Sequence, residues 1–95
     1  MWIKTAKKKN SYEDCLKPVI RILLQYTTVR KRKMQPESRL KEDLGITSLD
    51  YISIVHDIEE AFRITVPEWR EIAALATVDD VANYIFKLRN PVKES

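Results

Sequence analysis

Apolar residues along this chain recur at spacings of three and four rather than in alternation, the period of helices buried along one side. Tyr12, Cys15, Leu16, Val19, Ile20, Leu23 and Leu24 gather together at about 100° per residue, opposite Glu13, Asp14, Lys17, Arg21 and Gln25. Ser11 is placed to cap this helix, with Asp14 in the dipole-favoured first turn. Pro18 lacks an N–H and crowds the preceding turn, which predicts a kink or a start near Lys17. The helix should fade around Thr27–Thr28.

A second helix is expected after Thr47, its N-cap, with Asp50 at the third helical position as a capping-box relative carrying Asp instead of Glu. Its predicted buried face is Tyr51, Ile54, Val55, Ile58, Ala61 and Phe62. Pro67 opens a short third helix over Glu68–Ala74. Thr77 caps a fourth, which has Asp79 and Asp80 in its first turn and an apolar stripe of Val78, Val81, Ala82, Ile85 and Leu88. Asn90-Pro91 should end it. Residues 29–44 remain as a connection longer than the roughly 12–15 residues usual in compact domains, with Leu40 and Leu44 available to pin its second half. The pattern is all-α: three longer helices, one short one and a long first loop.

Composition narrows this picture. Ninety-five residues, 44% of them hydrophobic, with four prolines and a single glycine, suit one small helical domain. The expected partition is a basic N-terminus over 1–10, a folded domain over 11–90 and a tail over 91–95. Cys15 is the only cysteine, which excludes an internal disulfide and a cysteine-based metal site. No apolar run is long enough to cross a bilayer, and "MWIKTAKKKN" lacks the apolar centre of a signal peptide, so the expected compartment is cytoplasmic.

The net charge of +3 conceals two opposite halves. Residues 1–41 carry twelve Lys/Arg against three acids, a net of +9, while residues 42–95 carry five against eleven, a net of −6. Two kinds of partner surface follow from that division.

Candidate chemistry centres on Ser48. It cannot be a hydrolase nucleophile of the Gly-x-Ser-x-Gly type, because Asp50 stands where the second glycine belongs. His56, the only histidine, is eight residues on, about 12 Å along a helix at 1.5 Å per residue. One glycine builds no phosphate-cradling loop. No catalytic set and no metal ligand set is expected. As the first helical residue, however, Ser48 would sit where unpaired N–H groups and the helix dipole favour an anion, and Gly45 would allow a sharp entering turn. An unmodified N1 serine is the plain structural alternative. The helix beyond has a second side: Leu49 lies opposite the buried face and Ile52 at its margin, among Asp50, Ser53, His56, Asp57, Glu59 and Glu60. An acidic face studded with apolar residues suits docking to a basic, partly apolar patch, although single exposed apolar residues are also common.

"DLGITSLD", then "ISIVHDIEEAF", "ITVPE" and "TVDDVANYI", in that order and spacing, resemble the acyl carrier protein family. Its members read Asp-Leu-Gly-x-Asp-Ser-Leu-Asp before an acidic helix, an Ile-Pro turn and a Thr-Val-x-Asp helix start. The likeness is strong from Glu42 to Ile85. It implies a four-helix bundle and makes 11–90 a carrier domain. It implies that Ser48 receives 4'-phosphopantetheine from coenzyme A through a phosphopantetheinyl transferase, and that acyl-transferring or acyl-modifying enzymes are the other partners of a monomeric, non-catalytic carrier. Leu49, Asp50, Ile52, Ser53, His56, Glu59 and Glu60 match the family's docking surface, and Ile54, Ile58, Phe62 and Ile85 its core wall. Thr47 departs from the usual Asp, and Ser53 and Arg63 replace common acids, which suggests a specialised carrier in fatty-acid, polyketide-like or modified-lipid biosynthesis. A rival reading takes Lys7–Lys9 and Arg30–Lys33 as contacts for nucleic acid or an anionic membrane, in a helical module without a prosthetic group.

Overall fold

The computed structural model describes residues 12–89. The Ser11 cap, the Asn90-Pro91 stop, the Lys7–Lys9 cluster and both terminal segments lie outside these residues. Within them the chain forms α1 (Tyr12–Leu23), α2 (Ser48–Phe62), α3 (Trp69–Ala73) and α4 (Val78–Arg89), with 3-10 turns at Leu24–Tyr26 and Lys31–Lys33. No strand occurs among the described residues, so the all-helical, bundle-like prediction holds. α1 packs mainly on α4, and α2 on α3 and α1.

Two expectations about α1 need correction. The helix does not start near Lys17; it runs from Tyr12 through Pro18 without a break. Proline there forgoes one backbone hydrogen bond, but Cys15, Val19, Ile22 and Leu23 are buried, and the Tyr12 hydroxyl donates to Asp79 of α4. Those contacts hold the first turn in place. The helix fades where expected, tightening after Leu23 into the Leu24–Tyr26 turn and giving way to extended backbone at Thr27. The buried side is rotated relative to the predicted stripe. Ile22 joins it, whereas Ile20 and Leu24 are half-buried and line an open groove of about 290 Å3 with Lys17, Arg21 and Lys31. At 100° per residue those two fall on the far edge of an apolar arc wider than the surface α4 can cover.

The long connection is ordered by the rest of the domain. Met34, Leu40, Leu44 and Ile46 are buried in the core. The Leu40 N–H donates to the Ala76 carbonyl at 2.8 Å, while the N–H groups of Val78 and Asp79 donate to the carbonyls of Ser38 (3.0 Å) and Pro36 (2.8 Å). The loop thus supplies acceptors for donors at the start of α4 that the helix itself leaves unpaired. Its length has a structural use.

α2 buries Tyr51, Ile54, Val55, Ile58 and Phe62 as predicted, but Ala61 is exposed. Ala61 lies about 80° from the centre of that face, in the last turn, where a methyl group is too short to reach the core. The helix closes at Arg63, a left-handed residue with φ 58° whose N–H returns to the Glu59 carbonyl. α3 begins after Glu68, which caps it by accepting from the Arg70 N–H. At α4, Thr77 and Asp80 bond reciprocally at 3.1 Å, side chain to backbone in both directions. Leu88 is half-buried rather than part of the core stripe.

Candidate functional site

The turn into α2 is built from local chemistry. The Asp43 carboxylate accepts the Arg39 N–H at 2.8 Å, and bonding to Arg39 holds its carboxyl below the usual carboxylate range. Gly45 follows at φ 72°. A Cβ there would meet nothing within 4 Å, so the position needs glycine for its backbone angle and not for space. Buried Leu44 and Ile46 anchor the chain on either side, and the Thr27 hydroxyl donates to the Leu44 carbonyl at 2.7 Å.

Thr47 then caps α2. The Asp50 carboxylate accepts both the Thr47 N–H at 2.9 Å and the Thr47 hydroxyl at 3.0 Å. Ser48 is the first helical residue, as predicted, and its side chain is exposed. The first N–H groups of a helix lack intrahelical acceptors and point along the positive end of the dipole. An open groove of about 470 Å3 adjoins this end, lined by Gln25, Tyr26, Thr27, Thr28, Leu44, Gly45 and Asp50. An exposed hydroxyl on a rigidly capped helix start can accept a bulky anionic substituent without displacing core residues. The site fits a covalently attached phosphodiester.

The predicted docking residues divide into two groups. Leu49 is 82% exposed and Ile52 57%, and Ser53, His56 and Glu60 are exposed beside them. At 100° per residue these five fall within one stripe. His56 lies 3.3 Å from Glu60 in an exposed i,i+4 pair. Asp50 and Glu59 are half-buried and have structural tasks. Asp50 ties down the cap, and the Glu59 carboxylate accepts the Val66 N–H at 2.8 Å, bracing the link to α3. Asp50 also faces the other flank, beside Asp57, whose carboxylate accepts the Tyr26 hydroxyl at 2.5 Å. Sequence reasoning missed a groove of about 340 Å3 next to the exposed stripe, where Ile52, Val55, His56 and Glu59 face Val66, Pro67, Glu68 and Trp69. Its only sequence signal was a tryptophan just after the cap of a very short helix.

Residues 18–85 match the family profile described as "Phosphopantetheine attachment site". The chain belongs to the acyl carrier protein family. It is similar to the acyl carrier protein of Wolinella succinogenes, 38% identical over 64 residues, covering 67% of this chain and 83% of the relative. Against that of Campylobacter concisus the identity is 36% over 67 residues, or 70% of this chain and 86% of the relative. With that of Helicobacter hepaticus it is 36% over 72 residues, covering 76% and 93%. As a family member, this acyl carrier protein is a non-catalytic carrier whose prosthetic group is 4'-phosphopantetheine. The family works with phosphopantetheinyl transferases and acyl-handling enzymes. Among the described residues no cluster of three or more His, Cys, Asp or Glu could hold a metal ion, and no helix is long and apolar enough to cross a membrane.

Proposed function

We propose that Ser48 is the attachment point of the phosphopantetheine arm, and that the chain is a dedicated, monomeric, cytoplasmic carrier serving fatty-acid, polyketide-like or modified-lipid biosynthesis. The observation that carries this reading is an exposed Ser48 hydroxyl at the first position of a 15-residue helix, entered through a glycine at φ 72°. The arm supplies a thiol that holds the acyl group as a thioester. The chain's own residues do the rest. Gly45, Thr47 and Asp50 fix the helix start, and Ser48 presents its oxygen to the transferase. Leu49, Ile52, Ser53, His56 and Glu60 offer enzymes a surface in which acidic charge steers encounter and two apolar side chains supply burial. Asp50 and Glu59 contribute charge at its edges while holding the backbone. Thr47, Ser53 and Arg63, where acids are common in the family, support dedicated partners over a general set. Fragmentation of the protein purified from its native host should place the arm on Ser48 and reveal its cargo. An arm on another serine, or none, would refute the assignment.

A second reading rests on the basic groove of Lys17, Arg21 and Lys31 over Ile20 and Leu24, with Arg30, Arg32 and Lys33 exposed nearby. A cationic rim around apolar side chains suits weak contact with an anionic membrane. Neutralising Arg30–Lys33 should abolish salt-sensitive binding to anionic vesicles. Comparable binding to neutral vesicles, or a stronger preference for nucleic acid, would count against it.

A further inference from the structure

Tyr12, Tyr26, Tyr51 and Tyr84 are the four tyrosines of the chain. Three are half-buried and donate to a carboxylate: Tyr12 to Asp79, Tyr26 to Asp57 and Tyr84 to Glu71. Tyr51 differs. It is 1% exposed, and its hydroxyl is buried without a hydrogen-bond partner. Lys41 covers the ring with its ammonium 5.8 Å from the centroid, and the same ammonium donates to the Ala73 carbonyl at 3.2 Å. The phenol is therefore closed off from solvent on that side. Leaving a buried hydroxyl unpaired is costly, and phenylalanine would fill nearly the same volume without that cost. Burial, reinforced by the charges of Asp50 and Glu42, pushes the phenol's pKa up, so it stays a neutral group able to donate and accept.

Position gives this hydroxyl a use. Tyr51 stands three residues after Ser48, about 4.5 Å along the helix axis, and is the first buried residue of α2. Ile54, Ile58 and Phe62 continue the same wall with purely apolar surface. We propose that Tyr51 is a specificity residue for the cargo: its hydroxyl pairs with an oxygen near the thioester end of the acyl chain, so this carrier shelters 3-hydroxyacyl or 3-oxoacyl groups in preference to saturated ones. The inference rests on the reading of Ser48 as the attachment point. A hydroxy or oxo group satisfies the phenol on entering the core, whereas a methylene leaves it unpaired and adds only apolar burial.

The test loads the full chain with 3-hydroxyacyl and saturated acyl arms of equal carbon number, with loading verified by intact mass. In the wild type the hydroxyacyl form should melt about 4–8 °C above the saturated form, the effect of roughly one net hydrogen bond in a domain of this size. In Tyr51→Phe the two loaded forms should melt together, and the unloaded variant should melt at or above the unloaded wild type. Equal melting of the two wild-type forms, or a difference that survives in Tyr51→Phe, overturns the proposal. So does a lower melting point for the unloaded variant, since that would show the hydroxyl already satisfied. A chain that takes up no arm, or carries it away from Ser48, overturns the attachment reading itself, and intact mass with fragmentation separates that outcome from the others.

Discussion

The two sides of α2 contain the same kinds of side chain in opposite situations. Ile54 and Ile58 are essentially inaccessible, while Leu49 and Ile52, on the same 15-residue helix, are 82% and 57% exposed. Burying an aliphatic side chain is worth about 1.5–3 kcal/mol, so the inner residues hold the helix on the domain and the outer ones contribute little to folding. Of the outer pair, Leu49 directly follows Ser48 in the chain, and Ile52 lines the groove that includes Trp69. Hydrophobicity marks core on one side of this helix and, on the other, exposed side chains that belong to the proposed docking surface; only position on the wheel separates them.

Substitutions sharpen that contrast. The largest effect is expected on the inner face: Ile58→Ala should cost about 2–5 kcal/mol in urea unfolding, because a fully buried side chain leaves a cavity behind. Loss of less than about 1 kcal/mol would mean that this face is not the packed side. Next comes the cap. Asp50→Ala removes both carboxylate bonds to Thr47 and should cost about 1 kcal/mol while slowing modification at Ser48. Unchanged stability would return Asp50 to a purely docking role.

How much of this could be read from the chain follows from how local each cause is. The α2 cap, the positive-φ glycine and the exposed Leu49 were legible because each depends on a few neighbouring residues. Pro18 misled because a proline penalty is local whereas its compensation comes from α4, across more than sixty residues. Ala61 was misplaced because periodicity gives direction and not reach. The tasks of Glu59 and Tyr51 had no sequence signature: a carboxylate on the polar side bonds the Val66 backbone, and a phenol in the apolar stripe has no partner. Both depend on where other elements come to rest.

A smaller effect probes the polar edge of the core. Tyr12 and Tyr84 have phenol pKa values pushed up to about 12 from an ordinary value of 10.0, chiefly by burial and then by their carboxylate partners. In the unfolded chain they lose protons near 10, so stability should be constant with respect to these groups below that pH and fall between pH 10 and about 12. Tyr12→Phe should flatten this decline; an unaltered slope would remove Tyr12 as its cause. The smallest stability change belongs to the outer face. Leu49→Ser should alter unfolding by no more than about 0.5 kcal/mol, yet reduce acyl delivery to a cognate enzyme by about tenfold, as for a docking anchor. Normal delivery would dissolve the functional contrast between the two faces.

The most direct measurement is intact mass after incubation of wild type and Ser48→Ala with coenzyme A and a phosphopantetheinyl transferase. The account predicts a single added phosphopantetheine on the wild type and none on Ser48→Ala, with both proteins folded. An unmodified wild type, or the same gain in both proteins, would contradict it.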